Sequence, residues 1–168
     1  MKYERFEQLP VWQAAIEFAV EIYALTAKPV FRRHRSLRDQ VERAAVSVSN
    51  NIAEGFERGT NNELLSFLYI ARGSAGEVRS MLHLLGRMPA FCDLESEIRD
   101  LMARAESVSK QLGAWIQSLQ NSGLKGQRYV TEKTRRASAS AEDRRRFLSE
   151  LQQIQAAHKA QGGESTKM

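Results

Sequence analysis

Apolar side chains recur every three or four residues through four long stretches of the chain, the spacing that lines one face of a helix. From Pro10 to about Ala27 the inward positions read as Trp12, Ala15, Ile16, Ala19, Ile22 and Tyr23. From Leu37 to Arg58 they are Leu37, Val41, Ala44, Val48, Ile52 and Phe56; from 61 to 86 they are Leu64, Phe67, Leu68, Ala71, Ala75, Val78, Leu82 and Leu85. The stretch 94–120 carries Leu94, Ile98, Leu101, Ala105, Val108, Leu112, Trp115 and Leu119, alternating steps of four and three. That is a heptad seam, and Met102 and Ile116 broaden it enough to face more than one neighbour. No segment alternates polar and apolar residues over a useful strand length, and no internal repeat is found. Short connections make successive helices antiparallel, so the expected fold is all-α, an up-down-up-down four-helix bundle over residues 1–120.

A polar line runs beside the apolar one on the second helix. Arg43, Ser47, Asn51, Glu54 and Arg58 are spaced four, four, three and four apart, and small Ala44, Ala45, Ala53 and Gly55 let a neighbouring helix approach. Polar groups at a helix-helix seam need partners. Ser74 and Glu77 of the third helix, flanked by Gly73 and Gly76, are the candidates. The reading is structural: an inter-helix hydrogen-bond network, or an oligomer seam, that fixes helix register.

Helix ends carry their own signals. Pro10 suits a first helical position, Pro29 ends the first helix, and Ser36 reads as the N-cap of the second, with Asp39 three residues on. Gly59 ends the second helix; Thr60, Asn61 or Asn62 can cap the third, which stops near Gly86 and Pro89. The connection after the first helix carries Lys28, Arg32, Arg33 and Arg35, joined by Arg38, with no acid before Asp39. This basic loop is expected at one end of the bundle and the exit of the fourth helix at the other.

Charge changes the picture beyond residue 120. Residues 1–120 hold 15 Lys plus Arg against 15 Asp plus Glu, whereas 121–168 hold 10 against 5, so the whole net charge of +5 lies in the last segment. Such asymmetry points to a polyanionic partner. Residues 121–168 read as a basic tail, rich in Gly, Ser and Thr, with a short helix near 140–158 whose ridge is Phe147, Leu148, Leu151 and Ile154. Lys125, Arg128, Lys133, Arg135, Arg136, Arg144, Arg145 and Arg146 can meet phosphates, and Tyr129 among them can stack on a base. Arg32, Arg33, Arg35 and Arg38 of the loop complete the expected nucleic-acid contacts.

Little supports catalysis. The three histidines, His34, His83 and His158, lack a Cys, Asp or Glu cluster at metal-ligand spacing, and no Glu is followed three residues later by His as a di-iron bundle requires. Arg79 precedes His83 with only three residues between, short of the four to six that mark a HEPN-type ribonuclease. Glu54 and Glu77 are a conceivable carboxylate pair without a nucleophile or base. No phosphate-cradling glycine loop is present. The expectation is a non-enzymatic protein without catalytic residues, metal or cofactor. A charged beginning, MKYERFEQ, the absence of a long apolar run and a single cysteine, Cys92, fit the cytoplasm and no membrane.

The wording RAAVSVSNNIAEGFERGTNNELLSFLYIARGSAGEV, after FEQLPVWQAAIEF, resembles the bacterial four-helix-bundle family of ribosomal-RNA intervening-sequence-encoded proteins over roughly residues 6 to 120. That family is similar to the accessory variability proteins of diversity-generating retroelements. The resemblance implies a homo-oligomeric ring, a pentamer, that binds RNA or DNA and partners a reverse transcriptase. The alternative from the residues themselves is a protein-interaction adaptor whose amphipathic tail helix docks on a partner.

Overall fold

The computed structural model describes residues 3–122, 140 and 143–149. The chain divides into two units, Met1–Arg128 and Tyr129–Met168. All regular structure among the described residues is helical. The first unit holds α1 (Pro10–Thr26), α2 (Arg35–Glu57), α3 (Asn61–Leu85) and α4 (Glu95–Asn121), with short 3-10 turns at Phe6–Gln8, Pro29–Arg33 and Pro89–Leu94. In the second unit, residues 143–149 are helical and exposed.

The ends follow from local chemistry. Pro10 occupies the first turn of α1, where its missing N–H leaves no bond unmade. Gly59, at φ 77°, is the one positive-φ residue among those described and turns the chain between α2 and α3. Thr60 then caps α3: its Oγ1 accepts the Glu63 N–H at 3.3 Å and donates to the Glu63 carboxylate at 2.6 Å.

Ser36 is not the N-cap of α2. The helix begins at Arg35, His34 holds the cap position, and no side chain caps it. The Pro29–Arg33 turn runs almost directly into the helix, with the His34 N–H donated to the Phe31 carbonyl at 2.9 Å and the Arg38 N–H to the His34 carbonyl at 3.0 Å. Ser36 therefore already lies in the first turn.

Contacts between helices set their register. Gln40 meets Glu77, Ser47 meets Ser74, and Gly55 meets Leu64 and Phe67, so residue numbers rise on α2 as they fall on α3. Likewise Tyr69 meets Gln120, Arg72 lies against Gly113, and Gly86 lies against Ile98 across α3 and α4. Glu21 pairs with Arg104 at 3.0 Å and Lys28 with Glu97 at 2.5 Å, which orients α4 against α1 and the turn after it. Each helix packs on two others, α1 on α2 and α4, and α3 on α2 and α4.

One core lies between them. Ile22, Val41, Val48, Ile52, Leu68, Val78, Leu82, Ile98 and Leu112 are fully or almost fully buried. The inward face of α1 differs from the expected one. Val11, Ala15, Phe18, Ala19, Ile22 and Leu25 are buried, while Ile16 and Tyr23 are 37% and 47% exposed. Apolar residues surround most of α1, so its periodicity allowed several faces; the bulk of Phe18 and Leu25 turned those two inward.

A candidate nucleic-acid interface

The connections α1–α2 and α3–α4 share a short pattern: Lys28-Pro29-Val30-Phe31 and Met88-Pro89-Ala90-Phe91. In each, proline opens a 3-10 turn and sends the phenylalanine two residues later into the core. Phe31 and Phe91 are both 1% exposed and meet edge-on, with ring centroids 4.9 Å apart. This pair closes one end of the core and brings the two connections together. The half-buried ring of His34 lies 5.2 Å from that of Phe91. Both Pro-x-Phe steps were visible in the sequence, yet neither phenylalanine fits a helical period, so periodicity alone assigned them no role.

Phe31 anchors the basic loop. Of its five cations, Lys28 is committed to Glu97, and Arg38 donates to Asp39 at 2.9 and 2.7 Å, with Glu42 3.9 Å away. The Asp39 carboxylate raises the pKa of Arg38 further above its ordinary value, first by that hydrogen bond and then by charge. Arg32, Arg33 and Arg35 are exposed, and their side chains make no hydrogen bond or ion pair among the described residues. They stand where α2 begins without a side-chain cap and without an acid in its first turn, so the helix N-terminus adds to the positive potential. Asp93, on the facing connection, accepts from the Cys92 thiol at 3.6 Å.

The other expected contacts fall elsewhere. Arg144, Arg145 and Arg146 are exposed on the helical residues 143–149, beside Phe147 and Leu148, which are 60% and 50% exposed. Lys125, Arg128, Tyr129, Lys133, Arg135 and Arg136 lie outside the described residues, as do Leu151 and Ile154.

Part of the polar line on α2 forms a connected chain. Asn51 Nδ2 donates to Ser47 Oγ at 3.0 Å and to the Ser47 carbonyl at 2.7 Å; Ser47 and Ser74 hydroxyls are 2.9 Å apart; Ser74 Oγ donates to the Ile70 carbonyl at 3.1 Å. Since the Ser74 proton goes to Ile70, Ser47 donates to Ser74. Glu54 instead pairs with Arg58 at 2.7 Å on the exposed side, and Glu77 accepts from Gln40 at 3.2 Å. Arg43 is exposed and takes no part. Gln40 precedes Glu54 by fourteen residues, about 21 Å along the helix. The two carboxylates are thus not a pair, a relation that spacing within either helix could not reveal.

Among the described residues no group of three His, Cys, Asp or Glu side chains is placed to hold a metal ion. No helix there is long and apolar enough to cross a membrane.

The family model described as 23S rRNA-intervening sequence protein matches residues 7–114. Among solved structures, the chain is similar to a protein of unknown function from the S23 ribosomal protein family of Bacteroides thetaiotaomicron. The TM-score is 0.56 and the identity 23%, covering 63% of this chain and 97% of that one. No curated protein matches.

Proposed function

The chain belongs to the 23S rRNA-intervening sequence protein family, and from that premise we propose that it works by binding the backbone of RNA or DNA rather than by catalysis. The observation that carries this reading is the loop trio Arg32, Arg33 and Arg35, exposed, unpaired and fixed by the burial of Phe31. Cations already held by carboxylates gain little from a phosphate. Free ones release the counterions that a polyanion condenses. The framework is an up-down-up-down four-helix bundle, a reading supported by the opposed residue order in every helix pair whose contacts are given above.

Filter binding or gel shift of RNA and DNA at several salt concentrations tests the proposal. Affinity should fall steeply with salt and depend on the loop arginines; retention of neither nucleic acid at low salt refutes it. Self-association as a ring is part of the same proposal. Ile16, Val20 and Tyr23 are exposed along α1, and Tyr69, Ile70 and Leu84 along α3, which packs on the same two helices from the other side. Contact between two different faces in successive copies generates a ring when the rotation closes. A monomer by sedimentation at micromolar concentration overturns that part.

A second reading rests on Phe147 and Leu148. Their exposure on a helical segment favours an adaptor that docks on a partner protein through an apolar ridge. Such docking is far less sensitive to salt than phosphate binding.

A further inference from the structure

We infer that the Arg32, Arg33 and Arg35 platform takes the phosphate backbone of double-helical nucleic acid in preference to an unpaired strand, an inference that rests on the nucleic-acid reading above. Two features of the loop lead there. The first is what it lacks. Proteins that hold unpaired strands combine a basic groove with aromatic faces on which bases stack. Here the aromatic groups of the two connections are withdrawn: Phe31 and Phe91 are 1% exposed, packed on each other in the core, and the half-buried His34 ring lies against Phe91. The loop offers charge without a stacking surface. Tyr23, the preceding exposed aromatic in the chain, belongs to the apolar stripe of α1 with Ile16 and Val20.

The second feature is rigidity. Arg32 and Arg33 are on a 3-10 turn held by a buried phenylalanine, and Arg35 is on the first turn of a 23-residue helix. Three cations on a backbone so fixed leave only their side chains to be ordered on a regular lattice of phosphates, a smaller cost than ordering a whole chain on binding. With stacking absent, counterion release supplies the affinity, and each phosphate neutralised contributes about 0.9 to the log-log salt slope on a B-form duplex against about 0.7 on a single strand. The facing Asp93 is one acid against three cations. Contacts of this kind position the protein without reading sequence.

The test compares the full chain with its full-length Arg32→Ala/Arg33→Ala/Arg35→Ala variant. The probes are short blunt duplexes of RNA and DNA, and unpaired oligo-U and oligo-dT. The three side chains have no partner to lose, so the variant should melt with the parent. On the DNA duplex its salt slope should be lower by about 2.7, so that a rise from about 50 to 200 mM salt weakens the parent's complex about forty-fold more than the variant's. Binding of the unpaired strands should change far less. An equal or larger loss on unpaired strands, or an unchanged duplex slope, overturns the inference while leaving nucleic-acid binding intact. A parent chain that retains no probe at low salt overturns the functional reading and this inference with it.

Discussion

Gly55→Ala tests the closeness of α2 and α3 directly. A Cβ built on Gly55 would lie 2.7 Å from Phe67 Cβ, 3.2 Å from Leu64 Cδ1 and 3.4 Å from Leu64 Cα. The nearest of these atoms is bonded to the backbone, so a rotamer change cannot clear it; α3 itself must move. Movement there disturbs the Arg58 guanidinium, 5.3 Å from the Phe67 ring centroid, and further along strains the Ser47–Ser74 hydrogen bond. Overpacking of this kind costs about 1–3 kcal/mol, against a helix-propensity gain of up to about 1 kcal/mol on replacing Gly by Ala. The net expectation is a loss of about 1–2 kcal/mol, a fall in melting temperature of roughly 3–10 °C. Gly73 is the internal control, because a Cβ there meets nothing within 4 Å. Gly73→Ala should stabilise by about 0.5–1 kcal/mol. Thermal and urea unfolding followed by far-UV circular dichroism would measure both. A Gly55→Ala protein as stable as the parent, with Gly73→Ala behaving as expected, would refute the close approach of the two helices.

Phe31→Ala should cost about 3–5 kcal/mol by opening a cavity at the closed end of the core. Where the variant stays folded at low temperature, it should also bind duplex more weakly, which calorimetry and gel shift check together. Ser47→Ala breaks the Asn51–Ser47–Ser74 chain in its middle and should cost about 1 kcal/mol in urea unfolding. Glu54→Ala, at a half-exposed carboxylate paired only with Arg58, should leave the melting temperature nearly unchanged. The Lys110 hydrogen bond holds the Glu106 carboxyl below its ordinary 4.5, and Arg5 does the same for Glu7. With the folded pKa lowered, the stabilisation is present above about pH 4.5 and is lost as pH falls through the lowered value. Melting temperatures should thus be insensitive to these groups from neutrality to about pH 5 and decline below it, less steeply in Lys110→Met.

Much of the fold could be read before any coordinates. The four helices lie within two residues of the spans that periodicity, Pro10, Pro29, Gly59 and Pro89 mark out, because apolar spacing and backbone punctuation are properties of each segment by itself. The inward faces of α2 and α4 follow for the same reason: both helices are polar enough elsewhere to leave one apolar choice. Basic residues in the first connection were equally plain.

Whatever depends on two segments at once needed the tertiary structure. Which face α1 buries was decided by its packing on α2 and α4, which encloses Phe18 and Leu25, since the helix is apolar on several sides. Lys28 was indistinguishable in sequence from Arg32, Arg33 and Arg35, whereas Arg38 has Asp39 and Glu42 beside it on its own helix. Only the placement of Glu97 shows that Lys28 is already held. Glu54 and Glu77 separated, and Phe31 met Phe91, because antiparallel register sets distances between helices that no spacing along one of them contains.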